Sequence, residues 1–243
     1  MQAAGNDYIY VRTGAEGLEN ASDIAKRLSR RSFSVGADGL VLIKPSRDCD
    51  AETEIYNADG SRARICGNAL RCVAKYCFDR LGVTGECVRI RTDGGVKEVT
   101  RARLCGETRY YVRMGRVRFV ERYGKTLADI GNLHRVERVT EPDETDFFSL
   151  VDFRPDEYNT EVYKVVGKNE AAARVFERGS GITLSCGSGA TAIAAYGVKT
   201  GDFGTGEVKV IYPGGALYVN VEKDGFCTLS GGAEFVFDGE TEL

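Results

Sequence analysis

Alternating apolar and polar residues divide most of this chain into short strands, while a few apolar stretches follow the spacing of a helix. Alternation over about four to eight residues is typical of a half-buried strand, and short apolar runs of this kind occur at residues 40–43, 52–56, 88–92, 95–100, 110–120, 128–132, 147–151, 161–166, 172–176, 208–212, 216–221, 226–229 and 233–237. Helical spacing predicts helices over 69–80 and 190–198 and a third over 21–31, capped by Ser22. The pattern therefore predicts a mixed α/β protein with many strands and few helices.

A short motif occurs twice, each time directly before one of the two longest apolar helices. Residues 66–68 read Cys-Gly-Asn and residues 186–188 read Cys-Gly-Ser. The two copies are 120 positions apart (186 − 66), close to half of the 243 residues. The same offset aligns Gly67 with Gly187, Val73 with Ile193, Ala74 with Ala194 and Tyr76 with Tyr196. The chain is therefore interpreted as a diverged duplication.

Each copy of the motif predicts a reactive thiol. A cysteine just before a helix lies beside unpaired backbone N–H groups and the positive end of the helix dipole, which lower the pKa of a thiol. The same N–H groups can bind a carboxylate. For one such cysteine, a small buried side chain in a turn is an equally good interpretation. Two of them suit a reaction in which one base removes a proton from a carbon and an acid returns one on the opposite face, with no cofactor.

Composition and charge exclude several classes of protein. With 42% apolar and 28% charged residues the chain has the composition of a soluble protein, and a net charge of −3 argues against nucleic acid as a partner. The eight cysteines follow no secretory signal, so we expect free thiols in a reducing cytoplasm. No apolar run approaches the ~18 residues of a membrane span. One histidine and no C-x-x-C spacing give no reason to expect a metal site.

Three other interpretations of these residues stay open at this point. Residues 187–192 match the dinucleotide-binding pattern G-x-G-x-x-A, which would indicate a nucleotide-dependent oxidoreductase. Cys66 and Cys186 could instead form a reversible disulfide in a redox module. His134 could serve a hydrolase, although the chain lacks the G-x-S-x-G nucleophile motif.

Taken together, the motifs resemble those of the diaminopimelate epimerases, which are PLP-independent isomerases of lysine and peptidoglycan-precursor biosynthesis. The strongest likeness lies in the two cysteine motifs and in the segments before them, residues 57–61 (Asn-Ala-Asp-Gly-Ser) and 177–179 (Glu-Arg-Gly). Weaker likenesses follow in the family's order at residues 5–7, 36–39 and 131–134. The resemblance thus covers nearly the whole chain.

The resemblance implies a fold of two pseudo-symmetric α/β domains, each a curled, mostly antiparallel sheet around a central helix. On this basis we expect an N-terminal domain over residues 1–115, completed by a returning C-terminal strand at 231–243. The second domain would span residues 116–230.

The same resemblance implies the site residues. Cys66 and Cys186 match the two catalytic cysteines, His134 matches a supporting position, and no cofactor is implied. The positions that match substrate-binding residues are Asn6, Asn57, Gly67, Asn68, Asn132, Asn159, Glu177, Arg178, Gly187 and Ser188. The implied partner is a small amino acid, diaminopimelate, and family members often pair as homodimers.

Four residues depart from the family pattern outside the thiols and the substrate-binding positions. They are Gly39, Ala69, Leu133 and Ile182, the last standing where many members have Glu. These departures leave the amino-acid specificity open. The chain is predicted either to epimerise LL-diaminopimelate to the meso form or to racemise another amino acid, as a broad-specificity or histidine-type racemase.

Overall fold

A computed structural model describes residues 1–104 and 106–241 of the chain. They form two compact units, of which unit 1 comprises Met1–Val112 with Gly232–Leu243 and unit 2 comprises Arg113–Gly231. Each unit is a mixed sheet with one long buried helix, so the predicted α/β fold class is confirmed.

Unit 1 contains nine strands and two helices among its described residues. The strands are β1 (Gln2–Ala3), β2 (Asn6–Asp7), β3 (Ile9–Arg12), β4 (Gly39–Lys44), β5 (Ala51–Asn57), β6 (Arg62–Ala63), β7 (Cys87–Thr92), β8 (Gly95–Leu104) and β9 (Glu107–Arg116), which ends in unit 2. The helices are α1 (Ala21–Ser29) and α2 (Gly67–Arg80). The sheet order is β9-β8-β7-β5-β4-β3, with β6 beside β5 and a separate β1-β2 hairpin. Its pairs are antiparallel except β3-β4 and β5-β7.

Unit 2 contains nine further strands and one α-helix among its described residues. The strands are β10 (Arg118–Arg122), β11 (Lys125–Asp129), β12 (Leu133–Arg138), β13 (Asn159–Gly167), β14 (Glu170–Glu177), β15 (Gly181–Thr183), β16 (Gly206–Tyr212), β17 (Gly215–Val221) and β18 (Phe226–Gly231). The helix is α3 (Gly187–Thr200), and 3₁₀ turns lie at Pro142–Glu144 and Phe147–Ser149. The strand order is β10-β11-β12-β13-β14-β16-β17-β18, with β15 beside β14.

The two units share one sequence of pairings. In unit 2 the parallel pairs are β12-β13 and β14-β16, which repeat β3-β4 and β5-β7 of unit 1. The short strand before each cysteine motif lies antiparallel to the strand that precedes it, β6 to β5 and β15 to β14. Even the register repeats, because Tyr56 lies opposite Leu40 and Phe176 opposite Thr160, which are the same pair moved by 120 positions. The duplication predicted from the cysteine motifs therefore extends to the strand topology.

The two long helices, α2 and α3, are largely buried because most of their own side chains are small or apolar. In α2, Leu70, Val73 and Cys77 are completely buried, and in α3, Ala190 and Ile193 are. A helix that is apolar all round is buried on all sides, and each aliphatic side chain of the size of Leu70 stabilises the fold by about 1.5–3 kcal/mol on full burial. Helix α3 ends at Gly201, whose φ of 85° is a left-handed conformation that suits glycine.

Three local predictions are wrong. Residues 147–151, predicted as a strand, contain a 3₁₀ turn stabilised by the Asp146 side chain, which accepts from the Phe148 amide. Residues 233–237 form an isolated bridge, Gln2 to Glu234, in place of a strand. Ser22 does not cap α1: the cap is Asn20, and the Ser22 hydroxyl donates to the Gly60 carbonyl.

Candidate active site

Cys66 lies at the N-cap of α2. Its backbone is extended, with φ −139° and ψ 114°, and its carbonyl accepts the first helical hydrogen bond from Leu70 N at 3.0 Å. Its Sγ accepts from Ala69 N at 3.4 Å, so the thiol takes the place that a serine or aspartate oxygen has in an ordinary cap. The remaining N–H groups of this first turn, which the helix itself does not use, belong to Gly67 and Asn68.

Asn6 links the Cys66 thiol to a charged network. Cys66 Sγ donates to Asn6 Oδ1 at 3.6 Å, and Asn6 Nδ2 donates to Asp38 Oδ2 at 2.8 Å. Arg31 forms ion pairs with Asp38 and Asp7. Burial raises the pKa of Asp38, against the opposing hydrogen bond from Asn6. Asp38 thus orients the amide that faces the thiol, a role that its position in the motif at residues 36–39 did not reveal.

Arg71 is a completely buried guanidinium on the same helix. Its Nε donates to the Gly232 carbonyl at 3.1 Å, and its two Nη atoms have no hydrogen-bond partner among the described residues. Burial lowers the pKa of Arg71, and the Cys72 and Cys66 thiols act in the opposite sense. The sequence pattern gave no signal for this residue beyond a charge inside an apolar helix.

Asn57 and Asn68 are two further predicted site residues of unit 1. Asn57 ends β5, and its Nδ2 donates to Ser61 Oγ at 2.9 Å across the turn that precedes β6. Asn68 is buried in the first turn of α2, with 1% of its surface exposed. Gly39, one of the departures from the family pattern, packs against the Tyr56 carbonyl so closely that a Cβ there would lie 2.1 Å from that oxygen.

Cys186 repeats the geometry of Cys66 at the N-cap of α3. Its φ is −132° and its ψ 121°, and its Sγ accepts from Gly189 N at 3.3 Å. The Ser188 hydroxyl lies 3.4 Å from the same sulfur. In contrast to the half-buried Cys66, Cys186 is buried, with 4% of its surface exposed.

The expectation of a lowered pKa is wrong for Cys186. Burial raises its pKa well above the ordinary thiol value, and the carboxylates of Glu177 and Glu161 raise it further. Hydrogen bonds from Ser188 and Gly189 oppose the shift without reversing it. A helix N-terminus stabilises a thiolate by a modest amount, whereas desolvation together with two nearby carboxylates outweighs it.

A buried histidine–glutamate pair lies beside this cysteine. His134 Nδ1 and Glu161 Oε1 are 2.7 Å apart, and both side chains are completely buried. Burial raises the pKa of Glu161, against the opposing effect of His134. The sequence pattern predicts only that Glu161 begins a strand. An acidic residue in an otherwise apolar strand is nevertheless unusual.

The remaining predicted residues of unit 2 lie around the same region. Asn132 Nδ2 donates to Ser188 Oγ at 3.4 Å, and Asn159 Oδ1 accepts from Arg178 N at 2.9 Å. The Thr183 hydroxyl donates to Glu177, whose pKa is raised by burial. The structure therefore brings together, within unit 2, Asn132, His134, Asn159, Glu177, Cys186, Gly187 and Ser188. Arg178 joins them through its backbone N–H, and its side chain is exposed.

Several general features of the described residues complete the picture. All seven described cysteines are free thiols. Across residues 1–104 and 106–241 no three His, Cys, Asp or Glu side chains are grouped as metal ligands. None of the helices in that part of the chain has both the length and the apolar character needed to cross a bilayer.

Comparison with known proteins identifies the family. The family model described as diaminopimelate epimerase matches residues 1–120 and 127–236. The chain belongs to the diaminopimelate epimerase family. A relative with that name from Parabacteroides distasonis is 38% identical over 261 residues, covering 98% of this chain and 95% of the relative. Another, from Desulfovibrio desulfuricans, is 34% identical over 279 residues, covering 99% and 96%. The resemblance inferred from the motifs is thus confirmed.

Solved structures show the same fold at much lower identity. A phenazine biosynthesis protein of the PhzF family from Bacillus anthracis aligns with a TM-score of 0.71 at 16% identity, covering 91% of this chain and 89% of that protein. A probable proline racemase from Agrobacterium radiobacter aligns with a TM-score of 0.64 at 15% identity, covering 91% and 81%. At these identities the likeness concerns the fold alone.

Proposed function

We propose that this diaminopimelate epimerase family member interconverts LL- and meso-diaminopimelate, with Cys66 and Cys186 as its two acid–base groups. The observation that carries this proposal is the repetition of one arrangement. Each unit caps its buried helix with a cysteine whose Sγ accepts from the amide three residues on. A two-base inversion of a stereocentre uses one acid–base group on each face of the carbon, and two thiols can fill these roles. The domains expected at 1–115 with 231–243 and at 116–230 would supply one thiol each.

The surroundings of Cys186 favour its protonated form. Because the pKa of Cys186 is raised, this thiol keeps its proton at neutral pH and is the natural acid. Cys66 then acts as the base that takes the α-proton, while Cys186 delivers its proton to the opposite face. In the reverse direction the two exchange roles. Atoms balance without a cofactor, since one proton leaves the substrate and one enters.

Binding of the reacting carboxylate is assigned to the helix N-termini. The amides of Gly67, Asn68, Gly187 and Ser188 lie in the first turns of α2 and α3, at the positive ends of the helix dipoles. Such groups bind carboxylates and stabilise the negative charge that develops as the α-proton leaves. His134 is assigned a supporting role beside Cys186.

The distal end of the substrate is assigned to a polar set that the family resemblance implied. These residues are Asn6, Asn57, Asn132, Asn159, Glu177 and Arg178. The hydrogen bond from the Arg178 amide to Asn159 supports a common role for these two residues. A guanidinium can bind a carboxylate bidentately, and Glu177 can accept from an ammonium group. A substrate with a second amino acid centre uses all of these groups. We also expect the protein to act in the cytoplasm, within lysine biosynthesis, and to form a homodimer.

Solvent exchange tests the reaction. Purified protein in reducing deuterated buffer should convert LL-diaminopimelate to the meso isomer and place deuterium on the α-carbon, as read by chiral chromatography and mass spectrometry. Cys66→Ser and Cys186→Ser should each lower the rate by roughly 10³-fold, within the range that a positioned acid–base group contributes. Cys87→Ser, which changes an exposed thiol, is the matched control and should leave the rate unchanged. Full turnover by either of the first two variants would disprove the two-thiol scheme.

Substrate preference separates diaminopimelate from another amino acid. We expect Arg178→Leu to lower kcat/KM for diaminopimelate by about tenfold to a hundredfold, as the loss of a charge-assisted hydrogen bond of about 1.5–3 kcal/mol implies. Histidine and alanine, which lack a distal carboxylate, should be poor substrates of both the parent protein and the variant. If the parent protein turns over one of these faster than diaminopimelate, it is a racemase of another specificity.

A further inference from the structure

The buried pair of His134 and Glu161 leaves two of its four polar side-chain atoms without a hydrogen-bond partner among the described residues. His134 Nε2 and Glu161 Oε2 are buried and have no hydrogen-bond partner in the described chain, whereas Nδ1 and Oε1 meet at 2.7 Å. A buried carboxylate with one partner costs free energy that an apolar residue would not cost. The fold therefore maintains an unfavourable group at this position.

At the position of unit 1 that is equivalent to Glu161, the residue is aliphatic. Glu161 lies opposite Val175 in β13-β14, and the equivalent pair of unit 1 is Val41 opposite Ile55. Val41 is completely buried, so the sheet accepts an aliphatic side chain here. The glutamate is therefore not required by the strand topology.

The first turn of α3 is shaped around this carboxylate. A Cβ on Gly189 would lie 2.6 Å from Glu161 Oε1 and 3.1 Å from Cys186 Cβ. The equivalent residue of α2 is Ala69, which is completely buried, as is Val41. Gly189 also supplies the N–H that Cys186 Sγ accepts. Glu161 Oε1 is thus packed between the His134 ring and the turn that carries the Cys186 thiol.

We propose that Glu161 is a positioning residue of the Cys186 region that acts by fixing the His134 ring. Its Oε1 and His134 Nδ1 share one hydrogen bond, which sets the orientation and the tautomer of the imidazole. Nε2 is then left as the atom through which the ring interacts with other groups. This inference rests on the proposed function, because it assigns Glu161 to the proton transfer at Cys186. Glu161 itself makes no contact with substrate in this scheme.

The single histidine of the chain makes the hydrogen bond directly measurable. In protein labelled with ¹⁵N-histidine, a buried imidazole N–H bonded to a carboxylate should give a proton signal far downfield of the amides. We expect this signal in the parent protein. It should move upfield in Glu161→Gln, which keeps an uncharged acceptor, and disappear in Glu161→Ala. Its absence from the parent protein would overturn the proposal.

Kinetics decides whether the bond serves the reaction. Glu161→Ala should lower kcat by about a hundredfold with little change in KM, the low end of an acid–base contribution, and Glu161→Gln should restore part of the loss. In a His134→Ala background, Glu161→Ala should have little further effect, because the glutamate acts through the ring. Glu137→Gln, which alters the ion pair between the partly exposed Glu137 and the buried Arg135 on β12, is the control and should keep the parent kcat.

The outcomes separate this proposal from the proposed function. Wild-type kcat in Glu161→Ala, or equal additional losses from Glu161→Ala with and without His134, would refute the positioning role while the epimerase activity stands. No turnover of any amino acid by the parent protein would refute the proposed function. If the parent protein turns over no amino acid but still gives the downfield signal, and Glu161→Ala removes it, the His134–Glu161 pair has a purely structural role.

Discussion

Cys66 and Cys186 share a backbone conformation, a helix position and an equivalent hydrogen-bond donor, yet the side chains around them differ. Near Cys66 lie the amide of Asn6 and, on the same helix, the buried Arg71. Near Cys186 lie two carboxylates, those of Glu177 and Glu161, and the sulfur is buried. A repeated local motif thus fixes where each thiol lies in its unit, whereas residues from other strands raise the pKa of Cys186. Duplication followed by divergence of those strands can give two equivalent caps different electrostatic surroundings.

Among the substitutions that test the difference between the surroundings of Cys66 and Cys186, Gly189→Ala should have the largest effect. The added Cβ would meet Glu161 Oε1 at 2.6 Å, so either the carboxylate or the first turn of α3 has to move. We expect a loss of stability of about 1–3 kcal/mol, as overpacking in a core typically costs, together with a lower kcat. Urea denaturation and the exchange assay measure the two effects.

Ala69→Gly is the matched change in unit 1. Ala69 is completely buried, and its replacement by glycine removes a methyl group without adding a close contact. We therefore expect a cost of about 1 kcal/mol, the difference in helix propensity. A Gly189→Ala variant as stable and active as the parent would show that Glu161 does not constrain the turn.

Alkylation should report the raised pKa of Cys186. Only the thiolate reacts with iodoacetamide, and a pKa raised by one unit lowers the thiolate fraction at neutral pH tenfold. Cys186 should therefore react at least about tenfold more slowly at pH 7 than an ordinary thiol such as free cysteine, and its rate should still increase at pH values above the ordinary thiol range. Peptide mass spectrometry after timed quenching gives the rate at each pH. A Cys186 rate that levels off within the ordinary thiol range would contradict the raised pKa.

The smallest effect concerns Tyr212, the last residue of β16, whose equivalent in unit 1 is Thr92, the last residue of β7. Thr92 Oγ1 donates to the Gly95 carbonyl at 2.8 Å, whereas the Tyr212 hydroxyl is buried with no partner in the described residues. Burial raises the pKa of Tyr212 well above its ordinary value. Tyr212→Phe should therefore leave stability unchanged or raise it by up to about 1 kcal/mol, as measured by urea denaturation.

Tyr163→Phe provides the comparison for that measurement. The Tyr163 hydroxyl donates to Asp202 Oδ2 at 2.6 Å, so its removal should cost about 1–2 kcal/mol. A similar loss in Tyr212→Phe would show that the Tyr212 hydroxyl has a partner in solution.

Much of the fold was predictable because it depends on local pattern. Alternation located nearly all of the strands, and the two cysteine motifs located the long helices to within three residues at their starts. The error at 147–151 has a clear cause, since the Phe147 and Phe148 rings pack with Phe153 and Phe176 in a compact turn. An apolar run of five residues does not distinguish such a turn from a strand.

The candidate site was less predictable than the fold. The thiols were evident because their motif occurs twice, but the pKa of Cys186 depends on Glu161, a residue 25 positions away that only the β13 strand brings near. Arg71 and Asp38 went unrecognised for the same reason, because what each does is set by contacts that local sequence does not encode. A buried charge within an apolar segment is the one signal that identifies Glu161 and Arg71 in advance.

The segment that follows unit 2 has a consequence for biosynthesis. Residues 232–241 return to unit 1, where the Gly232 carbonyl accepts from Arg71 and Glu234 pairs with Gln2. Unit 2 is one uninterrupted stretch of chain, whereas unit 1 is made of two stretches that lie far apart in sequence. The half of the molecule that is translated first therefore completes its contacts only with a segment that is translated after the whole of unit 2.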